Sequence, residues 1–388
     1  MASVRMTTAG ESHGPGLTCL VEGMPAGLAL DRDAINRDMA RRQLGHGRGG
    51  RMKIERDAAE ATGGVRHGLT LGGPIALWVA NRDFANWEER MNPWPVTAPT
   101  EEVHLPRPGH ADLAGVQKYG FSDVRNVLER ASARETAARV AGGAVCKAFL
   151  RALGVEVVSH VLQIGTVRAP APPLELVDFA DVDASPVRCL DAEASGAMVA
   201  HIDRQRKANE SLGGVFEVRA YGLVPGLGSH VSYEERLDTR LAAAICSIQA
   251  IKGFELGDGF ELAGQPGSQA HDEIFHTPER GFYRETNRAG GVEGGMTNGE
   301  TLIVRGAMKP LPTLTKPLRS VDIATLAPAE ALRERTDSCT VPAAGVVGEA
   351  MVAYVLAAAY REKFGGDHID DVLGALRAYR ERIAWQRS

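Results

Sequence analysis

The stretch "ERASARETAARVAGGAVCKAFLRAL" runs from Glu129 to Leu153 and is followed by Gly154. Alanine, glycine and other small residues surround most of its helical circumference. A surface helix shows one apolar stripe against a polar face. A helix that is small and apolar nearly all round predicts close packing inside the protein. Tyr233 to Ile251 and Ala343 to Lys363 read the same way. Asp33 to Leu44 predicts a helix capped by Asp31 or Asp33 and ended by Gly45; Asp191 to Lys207 and Ile369 to Ile383 predict two more. Val155 to Val167, Gly214 to Gly222 and Glu300 to Ala307 are β-branched or alternating and predict strands. These elements do not alternate in regular βα units, so the expected class is α+β, in layers. No repeat, low-complexity tract or linker divides the chain, and one domain over residues 1–388 is expected. Asn86 to Pro108 predicts a long loop of the kind that often carries function.

The 388 residues are 44% hydrophobic and 24% charged, which is globular composition. A net charge of -5 argues against nucleic-acid binding. Five cysteines, an odd number without a C-x-x-C pair, predict reduced thiols in the cytoplasm. No secretory leader is recognisable. Val341 to Tyr360 is apolar enough to raise the question of a membrane span, but Glu349 and its many alanines and glycines favour a buried helix.

Gly10-Glu11-Ser12-His13-Gly14 matches the G-x-S-x-G elbow of serine hydrolases. Only nine residues precede it, Pro15 and Gly16 follow, and His13 adjoins Ser12 in sequence. An elbow needs a strand before the serine and a helix after it, so this context argues against a nucleophile. The alternatives are a glycine turn around a buried histidine, or a loop bringing His13 against a ligand.

Arg41 to Glu55 holds Arg41, Arg42, Arg48, Arg51 and Lys53 against one acid, with Gly45, Gly47 and Gly50 in G-x-G-x-x-G spacing. A dinucleotide fingerprint follows a strand; this one follows a helix. It reads either as a solvated basic loop or as an anion clamp, because guanidinium forks match carboxylate and phosphate oxygens. "RPGHAD" fixes His110 between Pro and Gly constraints. Arg130, Ser132 and Arg134 fall in the first turns of the long helix, where N–H groups favour an anion. Asp337 follows Arg335 ahead of the helix containing Pro342. No metal-spaced cluster and no Walker A sequence appear. A site for a polyanion follows, with histidine for proton transfer.

Taken together these stretches resemble the chorismate synthases. Three family signatures occur in order: Gly10 to Gly14, Arg130 to Gly142, and Arg335 to Glu349. "RPGHAD", "QAIKGFE", "GGMTNG" and "MKPLPT" match as well, and the resemblance extends from Met6 to about Lys363. The family often has serine where this chain has Ala131, which leaves Ser132 as the only hydroxyl of that pair.

The resemblance implies helices packed between two antiparallel β-sheets, a layered sandwich, in a homotetramer. It implies a reduced-FMN-dependent anti-1,4-elimination of phosphate from 5-enolpyruvylshikimate 3-phosphate, giving chorismate. His13 is implied to act on the leaving phosphate and His110 near the flavin N1. Asp337 is expected to relay a proton, and Ser132 belongs to the same catalytic set. Ser12, Arg42, Arg48 and Arg134 are expected at the substrate. Arg42 and Arg48 also match positions assigned to NADP, and are read here as substrate ligands. Arg130, Ala131, Ser132, Gln249, Ala250, Gly294, Lys309, Pro310, Leu311, Pro312, Thr313 and Arg335 match the flavin-binding segments. No reductase domain is visible, so an external reductant is expected, with NADPH involved only indirectly. A binding protein without turnover and a Ser12 hydrolase are the alternatives.

Overall fold

The computed structural model describes residues 4–49, 56–97, 100–174, 179–334 and 337–384. An antiparallel sheet is built from β1 (Arg5–Ala9), β2 (Gly16–Glu22), β3 (Ala59–Gly63) and β4 (Ile75–Ala80), in the order β1-β2-β4-β3. Alternation sets its core face: Leu17, Cys19 and Val21 of β2 and Ile75, Leu77 and Val79 of β4 are buried. A second antiparallel sheet contains β5 (Glu156–Ile164), β6 (Val167–Arg168), β7 (Gly214–Tyr221), β8 (Ile251–Leu256) and β9 (Leu302–Met308), in the order β8-β9-β7-β5-β6. The strand expected over Val155 to Val167 is therefore two strands turning at Gly165.

The α-helices of seven or more described residues are α1 (Arg32–Gln43), α2 (Asp112–Tyr119), α3 (Arg125–Ala131), α4 (Thr136–Ala152), α5 (Ala192–Lys207), α6 (Leu237–Cys246), α7 (Val341–Phe364) and α8 (Ile369–Ile383). Asp31 caps α1 by accepting from Asp33 N–H, and Asp191 caps α5 through Ala194 N–H. Helix α4 touches β1, β2 and β4, and also α7; α7 touches β5, β7 and β9. Adjacent glycines explain the approach. A Cβ on Gly142 would meet Cys19 Sγ of β2 at 2.6 Å, and one on Gly143 would meet Ala350 Cβ of α7 at 2.3 Å. The small residues around α4 thus serve two neighbours on different sides. Helix α7 is long and apolar enough to cross a membrane, but 94% of its most apolar window is buried in the protein.

Two of the expected helices also need correction. The helix expected over Glu129 to Leu153 is broken. Helix α3 ends at Ala131, Ser132 is extended (φ -63°, ψ 141°), and Ala133–Glu135 forms one 3₁₀ turn before α4. Ser132 Oγ accepts from Arg134 N–H at 3.2 Å, a local cap that competes with helix continuation. Arg130, Ser132 and Arg134 therefore do not form the first turns of one helix. The helix expected over Tyr233 to Ile251 is shortened to α6, because Ala250 is left-handed (φ 68°) and Ile251 enters β8. Both interruptions lie at the same cavity.

Candidate active site

A cavity of about 680 Å³ opens between the β1–β2 turn, the α3–α4 break, the α6–β8 turn, the 308–313 segment and the start of α7. Ser12, His13, Arg42, Arg48, His110, Ala131, Ser132, Arg134, Gln249, Ala250, Lys309, Leu311, Pro312, Thr313 and Asp337 all line it. Arg130 lies outside, donating to Thr8 and Gly10 carbonyls. Pro310 and Gly294 are not in the lining either; Gly294 sits in the turn of a small hairpin at Val292–Thr297. Arg335, like Arg51 and Lys53 of the basic stretch, lies outside the described residues.

The cavity's positive wall is braced from behind. Arg42 comes from the last turn of α1, and Arg134 from the 3₁₀ turn before α4. The buried carboxylate of Asp57 lies between them, accepting from Arg42 Nη1 at 3.0 Å and Arg134 Nη1 at 2.5 Å. Arg42 Nε also donates to Thr136 Oγ1, and Arg134 Nε to Asn81 Oδ1, both at 2.9 Å. Burial pulls the Arg42 guanidinium down to about 10; Asp57 opposes the shift, and Arg134 and Arg48 add to it. It stays charged at neutral pH. Asp337 accepts from Gly49 N–H, and its other oxygen lies 3.5 Å from Arg48 Nε. The aspartate thereby ties the glycine loop carrying Arg48 to the segment before α7.

The two histidines share one arrangement. His13 Nδ1 lies 2.9 Å from both Glu129 oxygens, and His13 N–H donates to Glu129 Oε2 at 2.9 Å. Its ring stacks on Trp87 with centroids 4.0 Å apart, and Arg125 lies over the Trp87 ring at 5.0 Å. Burial would raise the Glu129 carboxyl, but His13 and Arg125 outweigh it and hold it below its ordinary value. His110 Nδ1 lies 2.5 Å from Asp112 Oδ1. Arg107 grips Asp112 through its backbone N–H, Nε and Nη2. Burial again opposes, yet His110 and Arg107 take the Asp112 carboxyl well below the usual carboxylate range.

Burial, with the neighbouring Lys252 cation, pulls the Lys309 ammonium below its ordinary value. Gln249 Nε2 donates to Glu135, while the buried Gln249 Oε1 has no partner among the described residues. Leu128, Ile248, Met308, Leu332 and Val347 supply apolar wall.

Sequence reasoning missed Trp87, Arg107, Arg125 and Arg333 in the lining, and Asp57, Glu129 and Asp112 behind it. Arg107 and Asp112 stood inside "RPGHAD" and were passed over for the histidine. No local pattern marks Asp57, whose partners are distant in sequence. The elbow reading of Ser12 fails on geometry. Ser12 lies in a turn between the antiparallel strands β1 and β2, with no helix behind it, and its N–H donates to Glu129 O. Among the described residues no group of three or more His, Cys, Asp or Glu side chains is arranged to hold a metal.

Among the described residues seven cations line the cavity (Arg42, Arg48, Arg107, Arg125, Arg134, Lys309 and Arg333) against two carboxylates, Glu334 and Asp337. With two carboxylate-held histidines beside them, the arrangement suits an enzyme site that takes a small polyanion and moves protons on it. The chorismate synthase family model matches residues 4–360. A chorismate synthase of Desulforudis audaxviator is 55% identical over 387 residues, covering 99% of each chain. One from Rubrobacter xylanophilus is 57% identical over 379 residues, covering 97% of this chain and 96% of its own. A crystal structure of chorismate synthase superposes with a TM-score of 0.78 at 41% identity, covering 98% of both chains. The chain belongs to the chorismate synthase family. It is a lyase of aromatic amino acid biosynthesis.

Proposed function

We propose that the protein converts 5-enolpyruvylshikimate 3-phosphate to chorismate by anti-1,4-elimination, with substrate and reduced FMN held together in the 680 Å³ cavity. The observation that carries this reading is the excess of lining cations on a frame braced by Asp57. Such an excess favours a ligand with several negative groups, here carboxylates and phosphate. The cavity lies within the roughly 300–1,000 Å³ range of small-molecule sites. The chain's residues fit a flavin. Gln249 Oε1 is a buried acceptor suited to a ring N–H, the apolar wall suits a ring face, and Lys309 suits a phosphate. The 311–313 segment, the 131–132 turn and Ala250 complete that side; Arg130, Pro310, Gly294 and Arg335 remain assigned to it by resemblance.

When bound, reduced flavin supplies electron density that is lent and returned, without net redox change. The chain does the rest. Arg42, Arg48 and Arg134 orient the substrate, with Ser12 at the turn below. His13 holds a proton toward the departing phosphate, which lowers its charge as the C–O bond breaks. His110 holds one toward the flavin side. Asp337 accepts or relays the proton lost from substrate carbon, and Ser132 joins this set by its position at the break. Arg42 and Arg48 serve substrate rather than a nicotinamide; an external reductant keeps the flavin reduced, and NADPH acts only through it. The chain contacts described above support a layered sandwich with α4 and α7 between the two sheets. A cytoplasmic homotetramer follows from family likeness, with no nucleic-acid or membrane partner.

The test is anaerobic incubation of the protein with substrate and chemically reduced FMN. Phosphate and chorismate should appear in equal amounts, and no product means the assignment is wrong. His13→Ala and His110→Ala should each retain FMN binding and lose about 10²–10⁴-fold in turnover.

A further inference from the structure

We infer that Glu129 and Asp112 are positioning residues that fix His13 and His110 as Nδ1–H tautomers, leaving Nε2 as the nitrogen each ring offers for proton transfer. The inference rests on the proton-transfer roles proposed above, but its geometry stands without them. An ionised carboxylate only accepts. Glu129 receives His13 backbone N–H and Arg125 Nη1, each at 2.9 Å, and its side chain is 2% exposed. With two donors already aimed at it, the carboxylate is held as an anion. His13 Nδ1, 2.9 Å from both of its oxygens, must then carry hydrogen to avoid placing a lone pair against a buried charge. Stacking on Trp87 at 4.0 Å limits rotation of the ring out of this contact.

At His110 two contacts compete. Arg107 Nη2 lies 3.2 Å from Nδ1, and Asp112 Oδ1 lies 2.5 Å from it. Arginine only donates, so a bond from Arg107 would need a bare Nδ1. That tautomer would press a lone pair onto the Asp112 oxygen at the shorter distance. With Nδ1–H donating to Asp112, Arg107 Nη2 still has Asp112 Oδ1 at 3.2 Å, and every group is paired. Carboxylates placed this way select the tautomer and stabilise the imidazolium. One site thus carries the same device twice, from unrelated segments: Glu129 is 116 residues from His13, and Asp112 is two from His110.

The decisive measurement is the ring ¹⁵N spectrum of histidine-labelled protein above pH 8, by magic-angle spinning, with His13→Ala and His110→Ala assigning the signals. Protonated Nδ1 is expected at both, whether or not Nε2 is also protonated. A bare Nδ1 at either ring overturns the inference there, and this readout needs neither substrate nor turnover. Glu129→Gln and Asp112→Asn should each move the partner ring toward the other tautomer. Each should lower kcat about 10–100-fold with substrate KM within a few-fold. Glu129→Asp should restore part of both effects. A Glu129→Gln variant that keeps Nδ1–H and normal turnover also overturns it. Correct tautomers in a protein that forms no chorismate would instead reject the proposed function.

Discussion

Arg41 and Arg42 are neighbours on one helix, yet they enter two charge clusters of opposite character. Arg41 meets Glu349 through Nη1 and Nη2, Asp38 through Nη1 and Asp183 through Nε, all at 2.8 Å. Lys147 and Arg188 complete this cluster, which joins α1, α4 and α7 to Ser159 of β5. Among the described residues three cations face three carboxylates, a closed set. Arg42 faces the cavity, where cations outnumber acids. The Arg41 cluster holds helices together, because every charge has its counter-charge in the chain. The Arg42 cluster is braced by Asp57 but leaves net positive charge directed into the cavity. Balance, rather than burial, separates the structural set from the binding set.

The largest effect should come from breaking the closed cluster. Glu349→Gln leaves Arg41, Lys147 and Arg188 buried with only Asp38 and Asp183 as counter-charges, and should lower stability by about 3–5 kcal/mol in urea unfolding. A variant as stable as the parent would mean the cluster does not lock the helices. Acid probes the same group. The buried Glu349 carboxyl is held far below its ordinary 4.5 by Arg41, Lys147 and Arg188, against the pull of burial. A depressed folded-state value makes its stabilisation complete above pH 4.5 and lost as pH falls toward the folded value. Acid unfolding should therefore begin below pH 4.5, and Glu349→Gln should flatten that slope.

In the open cluster the effect should fall on binding. Arg48→Ala should weaken substrate by about 10–150-fold, the 1.5–3 kcal/mol of a charge-assisted hydrogen bond. FMN affinity and the unfolding midpoint should change little. Unchanged substrate affinity in calorimetric titration would remove Arg48 from the clamp. Asp337→Asn should slow single-turnover chemistry by roughly 10²-fold with pre-reduced flavin. If affinity falls instead while bound substrate reacts normally, Asp337 serves only to hold the Arg48 loop through Gly49. The smallest effect belongs to Ser12→Ala, at most about tenfold in turnover, the size of one neutral hydrogen bond. Its backbone contact to Glu129 survives the substitution.

The sequence alone determined the α+β class, the two small-residue helices α4 and α7, and most of the loops that line the cavity. Those features are local: helical periodicity, capping by Asp31 and Asp191, and the Gly and Pro constraints around His13 and His110 are written within a few residues. It also determined the family, because long motifs in fixed order are specific where single motifs are not. It misread the Glu129 to Leu153 run as one helix, because every residue in it tolerates helix; the Ser132 cap on Arg134 N–H and the pull of Asp57 and Asn81 on the Arg134 side chain together set the break. Which carboxylates matter was likewise decided by the tertiary structure. Asp57 is 77 residues from Arg134 and Glu129 is 116 from His13. An aspartate or glutamate carries no local sign of the cation it will meet. Arg41 and Arg42 look alike in the chain, and only the packing of α1 between a balanced core and an open cavity placed one in a buried ion cluster and the other on the cavity wall.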